Sequence, residues 1–299
     1  MRAPNGERTG TLYVFLSTLS RIIDQFSPDE VVAAYSFGPS WRTRWYPEYR
    51  SARKKRVEKE RATDPAAAEQ RQEFYDVERP TVRDVVARLG IPQVEAFGLE
   101  ADDVIAILAE SKKLNRDVEN IVVSTDGDFV QLAREGKTRI YNPTSDRVVW
   151  ESSRALYQDG VDEPIAASVF CWYIKRLLIG DPSDSIAGFP GIGAKRAEEL
   201  VQAWPEFDDC PFTSGWVRAY FRNVLVPKCM EKRRAYEQRL IDEWQERVPV
   251  LHRISCLRDW ALEERVKGAK HRARSVRRNY VRADKRCEAF GQFINPVYD

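Results

Sequence analysis

The sequence predicts an α/β fold, a mostly parallel sheet with helices on its two faces, followed by a smaller all-helical region. Three observations predict it. Short apolar runs rich in Val and Ile alternate with segments of helical spacing as far as residue 141. Such alternation implies parallel strands joined by crossover helices. Seven carboxylates in three short clusters follow apolar segments, and two of them come directly after a strand run, where parallel sheets place their ligand sites. From about residue 165 onward the pattern turns helical.

The elements follow in order. Residues 11–26 place Leu12, Phe15, Leu16, Leu19, Ile22, Ile23 and Phe26 at helical spacing, with Thr9 or Thr11 as the start. Pro28 and Asp29 turn the chain into a buried strand over 31–35. Residues 42–75 are basic, then rich in Ala, Glu and Gln, with little apolar periodicity, and read as a mobile, partly helical excursion. A short helix over 81–89 closes at Gly90. Strands are expected at 94–97, 121–124 and 139–141, and a helix over 100–108 turns Val104, Ile105 and Leu108 inward. Domain boundaries are expected near 160 and 240: an α/β core over 1–160, a helical region over 161–240 and a basic helical appendage over 241–299.

With 299 residues and 43% hydrophobic content the chain can bury a substantial core. Mean hydropathy is −0.53 and 31% of residues are charged. No apolar run approaches the roughly 20 residues of a membrane span, and the first residues carry no apolar core that would direct export. The five cysteines are widely spaced and there are two histidines, which argues against structural zinc or a disulfide framework. A reducing, cytoplasmic setting and a monomer are expected. The net charge of +2 conceals an asymmetry. Residues 42–61 carry nine Lys or Arg against three Glu, and residues 251–286 twelve against four acidic residues. Basic flanks around an acidic centre suit a polyanion held at its sides. Two solvated helical faces would give the same runs.

Three clusters carry the chemistry. In Glu100-Ala101-Asp102-Asp103, Glu100 and Asp103 share a helix face; an acidic first turn that complements the helix dipole is the plain alternative. In Asp126-Gly127-Asp128, two carboxylates flank one glycine at a strand end, which suits either one cation or a metal-free Asx turn. The third is Gly180-Asp181-Pro182-Ser183-Asp184, continuing through Gly191-Ile192-Gly193-Ala194-Lys195-Arg196. Clustered carboxylates raise one another's pKa unless a cation compensates them, and hard cations such as Mg²⁺ prefer oxygen ligands. Lys195 and Arg196 oppose the dipole of the helix they open, so stability alone does not explain them. Together with N–H groups at the glycine turn they suit a nucleic-acid phosphate, without reading its sequence.

These motifs, their order and their spacing resemble the structure-specific 5′-nuclease family, which includes phage flap endonucleases and the 5′–3′ exonuclease domain of bacterial DNA polymerase I. The resemblance covers roughly residues 8–205. It implies a PIN-like core and a helix-three-turn-helix motif. It also implies that Glu100, Asp102, Asp103, Asp126, Asp128, Asp181 and Asp184 hold two Mg²⁺ or Mn²⁺ ions, and that Gly191, Ile192, Gly193, Lys195 and Arg196 grip duplex DNA, with K⁺ at that turn. Tyr46-Pro47-Glu48-Tyr49-Arg50-Ser51-Ala52-Arg53 matches the segment that begins the family's helical arch, with Arg50 where Lys is usual. Arg50 and Arg53 are implied to place the scissile phosphate, and Tyr49 to contact DNA. The implied activity is hydrolysis of 5′ flaps, duplexes with free 5′ ends or RNA-primed ends, beside a replicative polymerase.

Two departures stand out. The family's first, central strand and its Asp precede the segment matched by residues 6–13, and five residues precede Gly6 here. Either the true start lies upstream or the member is divergent. The family's second Asp is replaced by Ser36, a neutral and weak ligand. A catalytically weakened protein that binds branched DNA is therefore the alternative, and an RNA nuclease a more distant one.

Overall fold

The computed structural model describes residues 9–110, 118–134, 136–150, 156–157, 164–166, 169–201 and 213–257. Helix α1 (Gly10–Phe26) ends at Ser27 in the left-handed conformation. It lies over the sheet, where Phe26 meets Tyr141 edge to face at 5.0 Å. The apolar run after Pro28 delivers β1 (Ala33–Phe37), two residues later than expected. The basic stretch is three helices in succession: α2 (Arg42–Trp45), α3 (Ser51–Thr63) and α4 (Pro65–Glu73). Asp64 caps α4, accepting from the Ala67 N–H at 3.0 Å, with Pro65 at the first helical position. A π-helical turn, Phe74–Glu78, joins α4 to α5 (Arg79–Arg88) without a break, so the helix expected at 81 begins upstream. No residue of α3 or α4 is buried, as the missing apolar periodicity requires.

Strand β2 (Gln93–Phe97) pairs parallel with β1, Ala33 opposite Gln93 and Phe37 opposite Phe97. After α6 (Ala101–Glu110), β3 (Asn120–Val123) pairs parallel with β4 (Thr138–Asn142), and β5 (Arg147–Trp150) returns antiparallel along β4. Among the described residues no ladder joins β1–β2 to β3–β4–β5. The sheet expected as one piece is two among the described residues. A short pair follows, β6 (Leu156–Tyr157) with β7 (Pro164–Ala166).

From residue 169 to 257 the described residues are helical except for one tight hairpin. Helix α7 (Val169–Ile179) is the hub, with Phe170, Tyr173, Ile174, Leu177 and Leu178 at most 1% exposed. It runs into β8 (Gly180–Asp181) and β9 (Ile186–Ala187), two strands that the helical pattern concealed. Helices α8 (Ala194–Leu200), α9 (Ser214–Tyr220), α10 (Val226–Lys232) and α11 (Ala235–Ser255) follow among the described residues. Helix α11 crosses the boundary expected at 240, and Leu251, Ile254 and Leu257 are buried. Residues 251–257 are therefore core, not appendage; the rest of the basic segment lies outside the described residues. One continuous core contains Tyr49, Phe129, Ile140, Leu178, Phe221 and Leu257, so both halves share it.

Candidate active site

The site is assembled where four segments meet: the loop before α6, the turn after β3, the β8–β9 hairpin and the Tyr46–Arg53 segment. Glu100 and Asp103 are set by the start of α6. The Glu100 N–H donates to Asp103 Oδ2 at 3.0 Å, and the Trp41 indole N–H to the same oxygen at 2.9 Å. Arg42, 4% exposed, lies between the two acids: Nη1 donates to Glu100 Oε2 at 2.7 Å and to Asp103 Oδ2 at 2.8 Å, and Nη2 to Asp103 Oδ1 at 2.8 Å. Its Nε donates to the Ile254 carbonyl at 2.9 Å. Burial works against the Arg42 charge, but Asp103 and Glu100 outweigh it and raise its pKa.

The Tyr46–Arg53 segment is stitched to the hairpin. The Arg50 N–H donates to the Asp184 carbonyl at 2.8 Å, and the Ala52 N–H to Ser185 Oγ at 2.9 Å. Arg50 adopts φ 57° and Ser185 φ 61°, left-handed conformations that non-glycine residues seldom hold. The Arg50 side chain pairs with Asp184 at 3.0 Å and with Glu100. Arg53, about half exposed, reaches Asp184 at 3.5 Å. Tyr49, expected at the DNA surface, is instead 3% exposed. Its hydroxyl lies 2.9 Å from Glu100 Oε2 and 3.0 Å from Asp184 Oδ2, so one proton is shared between two acids. Burial raises its pKa, as do Glu100 and Asp184, against the opposing Arg42 and Arg50.

The remaining acids divide into two kinds. Asp128 and Asp181 are bridged by Arg176 Nη2, at 2.7 and 2.8 Å. Burial raises the Asp128 pKa although Arg176 opposes it. Partial burial pushes Asp181 up as well, yet the Ser183 hydroxyl and Arg176 hold it below its ordinary value. Asp102 and Asp126 form no ion pair among the described residues. Asp126 accepts the Asp128 N–H at 2.9 Å. Burial, then the charge of Asp126, pushes Asp102 up to about 7. Asp102, Asp128, Asp181 and Asp184 line one narrow pocket with Tyr49 and Arg176.

The seven acids thus gather as expected, but not as bare ligand sets. Among the described residues no group of three or more such side chains converges on an ion position. The reason is the arginines: Arg42, Arg50 and Arg176 stand between the carboxylates. Asp102 and Asp126 do fit a divalent cation: each raises the need for one, since Asp126 pushes the Asp102 pKa up, and no arginine hydrogen-bonds either of them among the described residues, although the Arg42 charge partly offsets Asp102. Mg²⁺ is commonly held by one or two carboxylates plus water and phosphate oxygens. Ser36 stands elsewhere in function: its Oγ accepts the Ala101 N–H at 3.0 Å and caps the start of α6. Arg176 was missed by sequence reading; its one signal is a cation pair, Lys175-Arg176, inside the apolar run of α7.

At the glycine turn, Gly191 has φ +82° and Gly193 is the N-cap of α8. Gly191, Gly193, Lys195 and Arg196 are exposed. Ile192, expected among the DNA contacts, is 5% exposed, and its N–H donates to the Phe189 carbonyl at 3.0 Å. It anchors the turn from below. Arg196 donates to the Gly191 carbonyl and lies 4.5 Å over the Tyr236 ring, which leaves Lys195 as the projecting cation.

Residues 1–162 match the family model described as 5′–3′ exonuclease, N-terminal resolvase-like domain. The chain belongs to the 5′–3′ exonuclease family. It is 31% identical over 215 residues to DNA polymerase I of Chloroflexus aurantiacus, covering 70% of this chain and 20% of that protein. It is also 31% identical over 217 residues to a 5′–3′ exonuclease of Streptomyces coelicolor, covering 70% of this chain and 66% of the relative. The chain thus spans about a fifth of the polymerase relatives it matches and two thirds of this free-standing exonuclease. The fold is that of the bacteriophage T5 flap endonuclease, solved as a pseudo-enzyme–product complex with DNA and metal ions. The TM-score is 0.58 at 20% identity, covering 81% of this chain and 80% of that one. This likeness accords with the PIN-like α/β core that the resemblance implied. Among the described residues no helix is long and apolar enough to cross a membrane.

Proposed function

We propose that this chain is a divalent-metal-dependent 5′–3′ exonuclease and flap endonuclease. Its substrates would be DNA with a free or flapped 5′ end, RNA-primed ends included, during replication or repair. The observation that carries the reading is the Asp102–Asp126 pair: Asp102 lines the pocket, exposed Asp126 is near enough to raise its pKa, and among the described residues no arginine hydrogen-bonds either. Mg²⁺ or Mn²⁺ bound there would activate water and stabilise the departing oxygen.

This chain's own residues would do the rest. Arg53, loosely held by Asp184, is the cation placed to meet the scissile phosphate. Arg50 is more tightly held, and an arriving phosphate would compete with Asp184 for its fork. The Tyr49 hydroxyl and Arg42 keep Glu100, Asp103 and Asp184 in place. Gly191, Gly193 and Lys195 would hold duplex backbone some distance from the cut, with K⁺ as a candidate ion at the turn. The polymerase relatives support a replicative polymerase as partner; a monomer acting in the cytoplasm completes the reading.

The pairing of five of the seven acids with arginines favours one rival, a DNA-binding protein of weak or no catalytic power. One assay decides between them: cleavage of a 5′-flap duplex with Mg²⁺ or Mn²⁺ by the chain and by the Asp126→Ala, Asp128→Ala double variant. The double variant is expected to lose at least about a hundredfold in rate, of the order of 3 kcal/mol. No metal-dependent cutting above that variant, with duplex binding kept, would leave the rival standing.

A further inference from the structure

We infer that Arg176 fills the position of a second cation, so that the chain takes up one divalent ion, at Asp102 and Asp126, rather than two. The inference rests on the metal-dependent reading above and deepens it. A single nitrogen, Nη2, donates to Asp128 at 2.7 Å and to Asp181 at 2.8 Å, which places the guanidinium in the gap that an ion joining those two acids would occupy.

All three partners are fixed. Arg176 rises from α7, whose neighbouring Tyr173, Ile174, Leu177 and Leu178 are at most 1% exposed. Its guanidinium lies 5.7 Å from the Trp172 ring. Asp128 belongs to a 3-10 turn whose Phe129, Val130, Gln131 and Leu132 are buried. Asp181 accepts the Ser183 N–H at 2.8 Å and the Ser183 hydroxyl at 2.6 Å.

An arginine in a protein does not give up its proton, so its charge persists at every working pH. A divalent ion binding Asp128 and Asp181 would have to expel that guanidinium or stand against it, two like charges in a partly buried pocket. Asp102 and Asp126 face no such competitor among the described residues. The Nε and Nη1 groups of Arg176 make no hydrogen bond among the described residues, and remain for a phosphate oxygen.

The test counts bound ions without DNA or turnover. Mn²⁺ is titrated into the full chain at pH 7.5 while the electron paramagnetic resonance signal of free Mn²⁺ is followed, with thermal melting to verify folding. The wild type is expected to bind one equivalent. Arg176→Met and Arg176→Gln are expected to bind two, and Asp102→Asn to lose the equivalent of the wild type. Two equivalents in the wild type, or one in both folded Arg176 variants, overturns the assignment while leaving the metal-dependent reading intact. No binding in any form overturns both. Should neither variant fold, the wild-type count decides.

Discussion

At the residue scale, the pocket is a set of charges balanced one against another, and its two unbalanced members dictate its behaviour. Asp102 titrates near 7 in the fold, against an ordinary 3.8. Below pH 4 it is protonated folded or unfolded and costs nothing. Between pH 4 and 7 the unfolded chain releases this proton while the fold retains it, so stability falls as pH rises and then levels off. Asp102→Asn removes that penalty. The variant is expected to be more stable than the wild type by about 2 kcal/mol at pH 8 without metal, after allowance for partial exposure. The two should converge at pH 4, which thermal melts across pH will check. Arg42 is the opposite case. Arg42→Ala leaves Asp103 without its arginine and Glu100 with Arg50 alone, and is expected to cost about 3 kcal/mol in urea unfolding.

The seven acids were legible because each lies in a short motif beside a strand end or helix start. Their arginine partners were not, since Arg42 and Glu100 are 58 residues apart, and Arg176 and Asp128 48 apart. Such pairing is decided by tertiary contact. Tyr49 and Ile192 were expected at the DNA surface and are buried instead. A motif records which residue is present, and burial decides what it touches.

At the scale of elements, the β8–β9 hairpin matters most, because it carries Asp181 and Asp184 between two glycines with no room to spare. A Cβ on Gly180 would lie 2.2 Å from the Gly188 nitrogen and 2.4 Å from the Ile186 carbonyl oxygen, and φ there is +80°. Gly180→Ala is therefore expected to destabilise the fold by about 3 kcal/mol or more, seen as a large drop in melting temperature. The hairpin escaped sequence reading because two strands of two residues have no periodicity to detect. Strands β1 to β4 were legible within about two residues, since buried Val and Ile runs leave few alternatives. The run from α4 through the π turn into α5 was read as separate pieces, because a π turn changes the spacing that periodicity relies on.

On the scale of the whole molecule, the chain combines an acidic pocket with a basic helical stretch over α2–α4 and an exposed glycine turn bearing Lys195. Binding to duplex backbone would release counterions and weaken steeply with salt. Lys195→Ala is expected to weaken binding equally for unrelated duplex sequences and to make the log–log salt dependence shallower by about 1. Anisotropy titrations from 50 to 200 mM salt will measure both. A loss confined to one sequence would contradict backbone contact.

The end of helix α11 is tied to two segments far from it in sequence. The Ile254 carbonyl receives Arg42, while the Ser255 carbonyl and the Leu257 N–H embrace the Gln131 amide. A premature stop or protease nick ahead of these residues would remove none of the acids, yet would unseat the arginine that keeps two of them apart. Inactivating lesions in this gene should therefore recur in a stretch that carries no motif at all.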